Sequence, residues 1–216
     1  MDAVRGRITK EACDRRLAWW AGRVVAEVPV DLRVSGHEHI EGDEPFVVMS
    51  NHQSHFDVPL LFGAVSPALR MVTKKELFRV PIWGAAMRKA GFIEIDRQNR
   101  ERAIASLKLA RETLAQGVHV WIAPEGTRSR SGTLGEFKKG GFMLALDAET
   151  RILPVGLDGT RDILPPGKAR ARASQRVAVV IGAPIDVVGK DRDALMAETR
   201  SRIEALVAEA RALRAS

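Results

Sequence analysis

The sequence predicts a single α/β domain: a mixed or mainly parallel central sheet flanked by helices, with amphipathic helices at both ends of the chain. Three observations predict it. Short apolar runs rich in Val and Ile alternate with stretches of helical periodicity, the pattern of strands joined by crossover helices. No Pro/Gly/Ser-rich linker interrupts that alternation. Finally, 216 residues that are 45% hydrophobic supply one sizeable core but are short for two.

Ile8 to Val28 reads as an amphipathic helix. Leu17, Trp20, Val24 and Val28 fall on one face, widened by Trp19, Ala21 and Val25, and Arg15, Arg16 and Arg23 line the other side. Paired tryptophans beside arginines suit a membrane interface, and the same pattern suits a helix packed on its own domain. The longest early apolar stretch, Leu17 to Val30, is interrupted by Arg23 and Glu27 and is too short and too charged to span a bilayer. Asp31 to Ser35 is the next expected strand, followed by polar connections at Gly36–His39 and at Glu41, Gly42 and Asp43.

Phe46 to Met49 is a short buried strand leading into Ser50-Asn51-His52-Gln53-Ser54-His55-Phe56-Asp57. Val58-Pro59-Leu60-Leu61-Phe62 then opens a helix, with Pro59 suited to its first turn and Asp57 placed as an N-cap. His52 is therefore expected on the strand-to-helix connection. Five residues apart on a continuous helix, His52 and Asp57 would diverge. On a bent connection the carboxylate can return to the imidazole, fix its tautomer and stabilise it once protonated, the base-and-orienter half of a catalytic triad.

Leu69 to Thr73 is another strand, then Lys74-Lys75-Glu76-Leu77 and a helical segment begun by Pro81 and running to Lys89. Gly91 to Arg97 alternates as a strand, and Arg100 to Ala115 is a helix closed by Gly117 at C′. Val118 to Ile122 is a buried strand feeding the polar loop from Pro124 to Gly132. Phe137 to Phe142 enters a helix ending near Asp147. Strands follow at Arg151–Leu157 and Arg176–Ile181, separated by Pro165-Pro166-Gly167 and a basic run with Lys168, Arg170 and Arg172. A last helix from about Asp191 buries Leu195, Ile203, Leu206, Ala210 and Leu213.

Three strand ends thus meet polar loops: Met49 before His52, Ile95 before Arg97, and Ile122 before Glu125 and Arg128. Ligands of open α/β sheets collect beyond strand carboxyl ends. A pocket there would hold a base, its partner, a second carboxylate of another role and a set of cations, with Lys74 joining from the loop after Thr73. Guanidinium forks suit phosphate. The net charge of +7 agrees with anionic partners.

Taken together, these segments resemble the glycerolipid acyltransferase family, which includes the 1-acylglycerol-3-phosphate acyltransferases. Asn51 to Asp57 resembles its first motif, Gly91 to Arg97 the second, Pro124-Glu125-Gly126-Thr127-Arg128-Ser129 the third and Ile152-Leu153-Pro154-Val155 the fourth. Lys74 to Leu77 and Phe137 to Gly140 also match family segments, so the resemblance runs from about Asp31 to Asp186. It implies a glycerol-3-phosphate acyltransferase-like fold, His52 as general base and Asp57 as its orienter. It also implies substrate binding by Lys74, Arg97, Glu125, Gly126, Thr127 and Arg128, with Pro154 shaping the pocket floor. The donor would be an acyl-CoA or acyl-carrier-protein thioester. The acceptor would be a lysophospholipid, with glycerol 3-phosphate or another lysolipid as the alternative. Ala123 stands where the family often has Phe before Pro-Glu-Gly, which opens the question of the acyl-chain wall.

No metal and no cofactor is expected. One cysteine, Cys13, allows no intrachain disulfide and no Cys-based zinc site. The metal alternative would draw on His52, His55, Asp57 and the His37/His39 pair. A serine hydrolase would need a Gly-x-Ser-x-Gly elbow, and none exists. A non-catalytic anion- or membrane-binding module is the different-class reading. A nucleic-acid platform is disfavoured, because Tyr is absent and Phe and Trp are scarce on the basic stretches. The polar, charged N-terminus shows no signal-peptide pattern, so the expected location is peripheral, on the cytoplasmic face of a membrane.

Overall fold

Strands buried on both faces need apolar residues at every position, and β7 (Gln175–Ile181) shows how this sequence meets that need. Val177, Val179 and Ile181 join one core cluster, while Ala178 and Val180 face the other side. The computed structural model describes residues 9–40, 42–66 and 68–216. Ile8 and Glu41, which figure in the sequence expectations, lie outside the described residues.

The other strands are β1 (Val30–Ser35), β2 (Val47–Ser50), β3 (Leu69–Lys74), β4 (Ile93–Ile95), β5 (His119–Ile122) and β6 (Ile152–Asp158). They form one seven-stranded sheet in the order β1-β7-β6-β2-β5-β3-β4. Only the β6–β7 pair is antiparallel. The carboxyl ends of β2, β3, β4, β5 and β6 therefore share one edge, and β2 and β5 are direct neighbours there, with Met49 opposite Ile122.

The helices are α1 (Lys10–Glu27), α2 (Asp57–Ala64), α3 (Trp83–Lys89), α4 (Arg100–Ala115), α5 (Gly140–Asp147), α6 (Thr160–Ile163) and α7 (Arg192–Ala215). On one face of the sheet, Leu17 and Ala21 of α1 and Leu60, Leu61 and Phe62 of α2 pack on Val48, Leu153, Val155 and Leu157. On the other, Ala110 and Leu114 of α4, Phe142 and Leu144 of α5 and Leu195 and Ile203 of α7 cover Val47, Met49, Val120 and Ile152. Each buried Leu, Ile or Phe contributes about 1.5–3 kcal/mol. Gly156 lets α7 lie directly on β6, since a Cβ there would collide with the backbone of Leu206 and Val207.

Several boundaries differ from expectation. α1 starts at Lys10, capped by the Thr9 hydroxyl on the Ala12 N–H at 3.3 Å, and packs on its own domain with Trp19 left exposed. The strand expected over Gly91–Arg97 is only three residues long. Gly91 takes a left-handed turn, and Asp96 leaves the ladder to bind Lys75 at 2.8 Å. Pro81 does not begin α3 directly; Ile82 intervenes with φ 64°. α6 has no sequence signature that was recognised. No described helix is long and apolar enough to cross a membrane.

Candidate active site

The chain leaves β2 at Ser50 and turns through Asn51 to Phe56 before α2 begins. Asn51 fastens the start of that turn, its amide exchanging two 2.8 Å hydrogen bonds with the backbone of Leu157. Asp57 is not the N-cap. Phe56 holds that position without a side-chain bond, and Asp57 is the first helical residue. Its Oδ2 turns back to accept the N–H groups of Gln53 at 2.8 Å and Ser54 at 3.0 Å. The same oxygen lies 2.7 Å from His52 Nδ1. The Asp57 side chain is wholly buried, whereas that of His52 keeps 15% exposure. With Nδ1 committed to the carboxylate, Nε2 is the nitrogen that can take a proton. The Trp121 ring stands edge-on to the imidazole at 5.4 Å between centroids, itself held by a 3.0 Å bond from Nε1 to Ser50 Oγ.

Glu125, after β5, reaches the same turn. Its Oε1 accepts the His52 N–H at 3.3 Å, and its Oε2 accepts the Gly135 N–H at 2.8 Å. Burial raises the pKa of this carboxyl, opposed by those two N–H groups. Both oxygens are thus engaged by the protein's own backbone, which makes Glu125 a clasp joining three loops. The Ser129 N–H adds a 2.7 Å bond to the His52 carbonyl.

Arg97, after β4, donates from Nη1 to the Gly126 carbonyl. Gly126 has φ 73°, and its missing Cβ leaves room for the Arg97 guanidinium. His55 lies below its ordinary pKa through partial burial, then through the positive charges of Arg128 and His52, with Lys74 adding to them. Lys74 ends β3, and Arg128 lies on the loop after β5 next to Ser129, whose N–H bonds the His52 carbonyl. Thr127 is exposed on the same loop. The residues singled out in the sequence are therefore all brought to one edge of the sheet, while Pro154 is buried within β6 opposite Met49. His37 and His39 sit on a turn after β1. Among the described residues no group of three or more His, Cys, Asp or Glu side chains is placed to hold a metal ion.

The backbone N–H groups of His52, Gln53, Ser54 and Gly126 are already bonded within the protein. Ser54 is wholly buried, and its hydroxyl donates to the Leu164 carbonyl at 2.8 Å, so its proton is directed away from His52.

Sequence reasoning missed Arg200. From α7 its guanidinium donates to the carbonyls of Gly135 at 2.6 Å and Leu134 at 3.2 Å and lies over the Phe137 ring at 5.3 Å. It thereby holds the segment whose N–H binds Glu125. No local signal marks it, because its partners are about 65 residues away along the chain.

A histidine held by a buried carboxylate, among cations at the carboxyl edge of a mainly parallel sheet, is an arrangement suited to base-assisted chemistry on an anionic substrate. The chain belongs to the Acyltransferase family, which matches residues 31–158, more than half of its length. It is 36% identical over 195 residues to a 1-acyl-sn-glycerol-3-phosphate acyltransferase of Pseudomonas aeruginosa, covering 90% of this chain and 73% of that protein. It is 35% identical over 173 residues to the chloroplastic 1-acyl-sn-glycerol-3-phosphate acyltransferase LPAT1 of Arabidopsis thaliana, covering 80% of this chain and 48% of that protein. The chain thus spans about half the length of that plant relative. The crystal structure of the 1-acyl-sn-glycerophosphate acyltransferase PlsC from Thermotoga maritima superposes with a TM-score of 0.76 at 29% identity, covering 91% of this chain and 80% of the other.

Proposed function

We propose that the chain is an O-acyltransferase that moves a fatty acyl group from an acyl-CoA or acyl-carrier-protein thioester to the free hydroxyl of a lysophospholipid. The acceptor is 1-acyl-glycerol-3-phosphate and the product phosphatidic acid, on the cytoplasmic face of a membrane to which the chain binds peripherally. The observation that carries this reading is the His52–Asp57 pair standing among Lys74, Arg97 and Arg128. The names of the relatives support the choice of acceptor.

An alcohol is a poor nucleophile at neutral pH. His52 Nε2 takes the hydroxyl proton as the oxygen attacks the thioester carbonyl carbon, and Asp57 stabilises the imidazolium that forms. The tetrahedral intermediate collapses with cleavage of the C–S bond. The thiolate leaves with little need of an acid and accepts the proton from His52. Arg97, Arg128 and Lys74 hold the acceptor phosphate, while Glu125 keeps the His52 turn and the Gly126–Arg128 loop in register. The oxyanion is held by N–H groups of that loop, among which those of Thr127 and Arg128 have no hydrogen-bond partner among the described residues.

Thiol release from acyl-CoA, followed across lysophosphatidic acid, glycerol 3-phosphate and a phosphate-free lysolipid, tests this. Release should require an acceptor and be fastest with lysophosphatidic acid. Equal release with water alone, or none with any acceptor, would sink the proposal.

A further inference from the structure

The connection from β3 to β4 leaves the site at Lys74 and returns to it at Arg97, and its midpoint is unusual. Ile82 is 89% exposed, flanked by the exposed Val80 and Trp83. It adopts φ 64° and ψ −53°, and the Trp83 N–H closes on the Pro81 carbonyl at 2.6 Å. This is a γ-turn of positive φ, a strained form that a β-branched residue rarely occupies. The segment is nevertheless firmly held. The Gly84 N–H bonds the Val80 carbonyl at 2.8 Å, and the Ala86 N–H bonds the Ile82 carbonyl at 2.9 Å. Gly84 also lacks the Cβ that would strike the Phe78 carbonyl. A large apolar side chain is thus displayed to solvent on a braced, strained turn, where burial gains it nothing within the chain.

A second aromatic extends the patch. The Trp83 ring lies 5.9 Å from Trp20, which is packed edge-on against Phe62, and the next residue back, Trp19, is 69% exposed. Arg15, Arg16 and Arg23 stand four and three residues before Trp19 and four after it, the helical spacings that surround a position with neighbours. Arg79 precedes Val80, and Arg88 and Lys89 close α3; all are exposed. Apolar tips ringed by cations match the profile of an anionic bilayer, with Trp at the headgroup level and Arg and Lys at the lipid phosphates. A second copy of the chain fits poorly, because an isologous interface would press like charges together.

We propose that Val80 to Trp83, together with Trp19, is a bilayer-docking surface for anionic phospholipid, and that the strained turn at Ile82 inserts its side chain below the headgroups. The proposal rests on the reading that the acceptor is a lipid, and it supplies the route: the docked loop follows Lys74 and leads through β4 to Arg97.

The test is flotation of the full chain with vesicles of phosphatidylcholine and phosphatidylglycerol (3:1), using Ile82→Gly and Trp19→Ser. Glycine relaxes the positive φ, so the melting temperature of Ile82→Gly should be unchanged or higher while its vesicle partition falls roughly tenfold or more. Ile82→Asn, a polar side chain of similar size on the same turn, provides the same test with a side chain present. Turnover on a short-chain acceptor in free solution should stay at the wild-type level, and turnover on vesicle-embedded acceptor should drop. Wild-type partition in both Ile82 variants overturns the proposal. So does a wild-type dimer that Ile82→Gly converts to monomer. Loss of vesicle binding by the variants, from a protein that acylates no acceptor, would support the docking surface and refute the activity instead.

Discussion

At the scale of single residues, the position of Asp57 decides most. A cap would interact with the N–H groups that follow it; Asp57 instead binds backward to Gln53, Ser54 and His52 through one oxygen. Asp57→Asn keeps the shape but removes the charge and admits the wrong imidazole tautomer. Turnover should fall by a factor on the order of a hundred or more. Stability should fall by about 1–3 kcal/mol, because the amide nitrogen is placed in a buried pocket without a partner. Turnover and a thermal melt beside His52→Ala check both; a fully active Asn variant would remove the main support for His52 as base. Arg97→Ala and Arg128→Ala should each raise KM for a phosphate-bearing acceptor, by about 1.5–3 kcal/mol in binding. A phosphate-free acceptor should be affected far less, and equal losses on both acceptors would contradict the phosphate role.

At the scale of elements, the site is a set of loops held together by backbone-directed side chains. Arg200 of α7 fixes Leu134 and Gly135, Gly135 fixes Glu125, and Glu125 fixes the His52 turn. Arg200→Ala should lower kcat several-fold with little change in KM, and Arg200→Lys should recover part of the loss. A structural role confined to α7 would move the melting temperature and leave that kcat-to-KM pattern absent. Glu125 carries a pH signature. Its folded pKa lies above the ordinary 4.5, so the folded state holds its proton longer than the unfolded chain does. Its contribution to stability is then fully present below the ordinary value and diminishes as pH rises through the folded pKa. Relative to Glu125→Gln, the wild type should lose melting temperature as pH is raised across that interval. A difference between the two that stays flat with pH would refute the burial argument.

At the scale of the whole molecule, neither the cysteine nor the serine of the His52 turn is placed as a nucleophile. Cys13, the only cysteine, is buried on the inner face of α1 with its thiol 3.4 Å from the Ala90 carbonyl, and burial raises its pKa. Ser54 is committed to Leu164. The proposed transfer is direct, so enzyme mixed with acyl donor alone should yield neither a thiol burst nor an acyl adduct by intact mass. An adduct that disappears when acceptor is added would show a covalent route.

How much of this the sequence determined follows from the range of the interactions involved. Period-2 and period-3.6 patterns are local, so the strands, the helix Arg100–Ala115 with its Gly117 stop, and the α/β class were legible. The polar residues at strand ends were legible too, because a parallel sheet collects its strand ends at one edge whatever its strand order. Tertiary structure alone decided that order, with β5 entering between β2 and β3 and so placing Glu125 against His52. It likewise set Asp57 inside the first helical turn rather than at the cap, left Trp19 outside while Trp20 went in, and brought Arg200 to the site. Each of these depends on tertiary geometry that no residue spacing encodes, since the groups involved are placed only after the sheet has closed and the helices have packed on it.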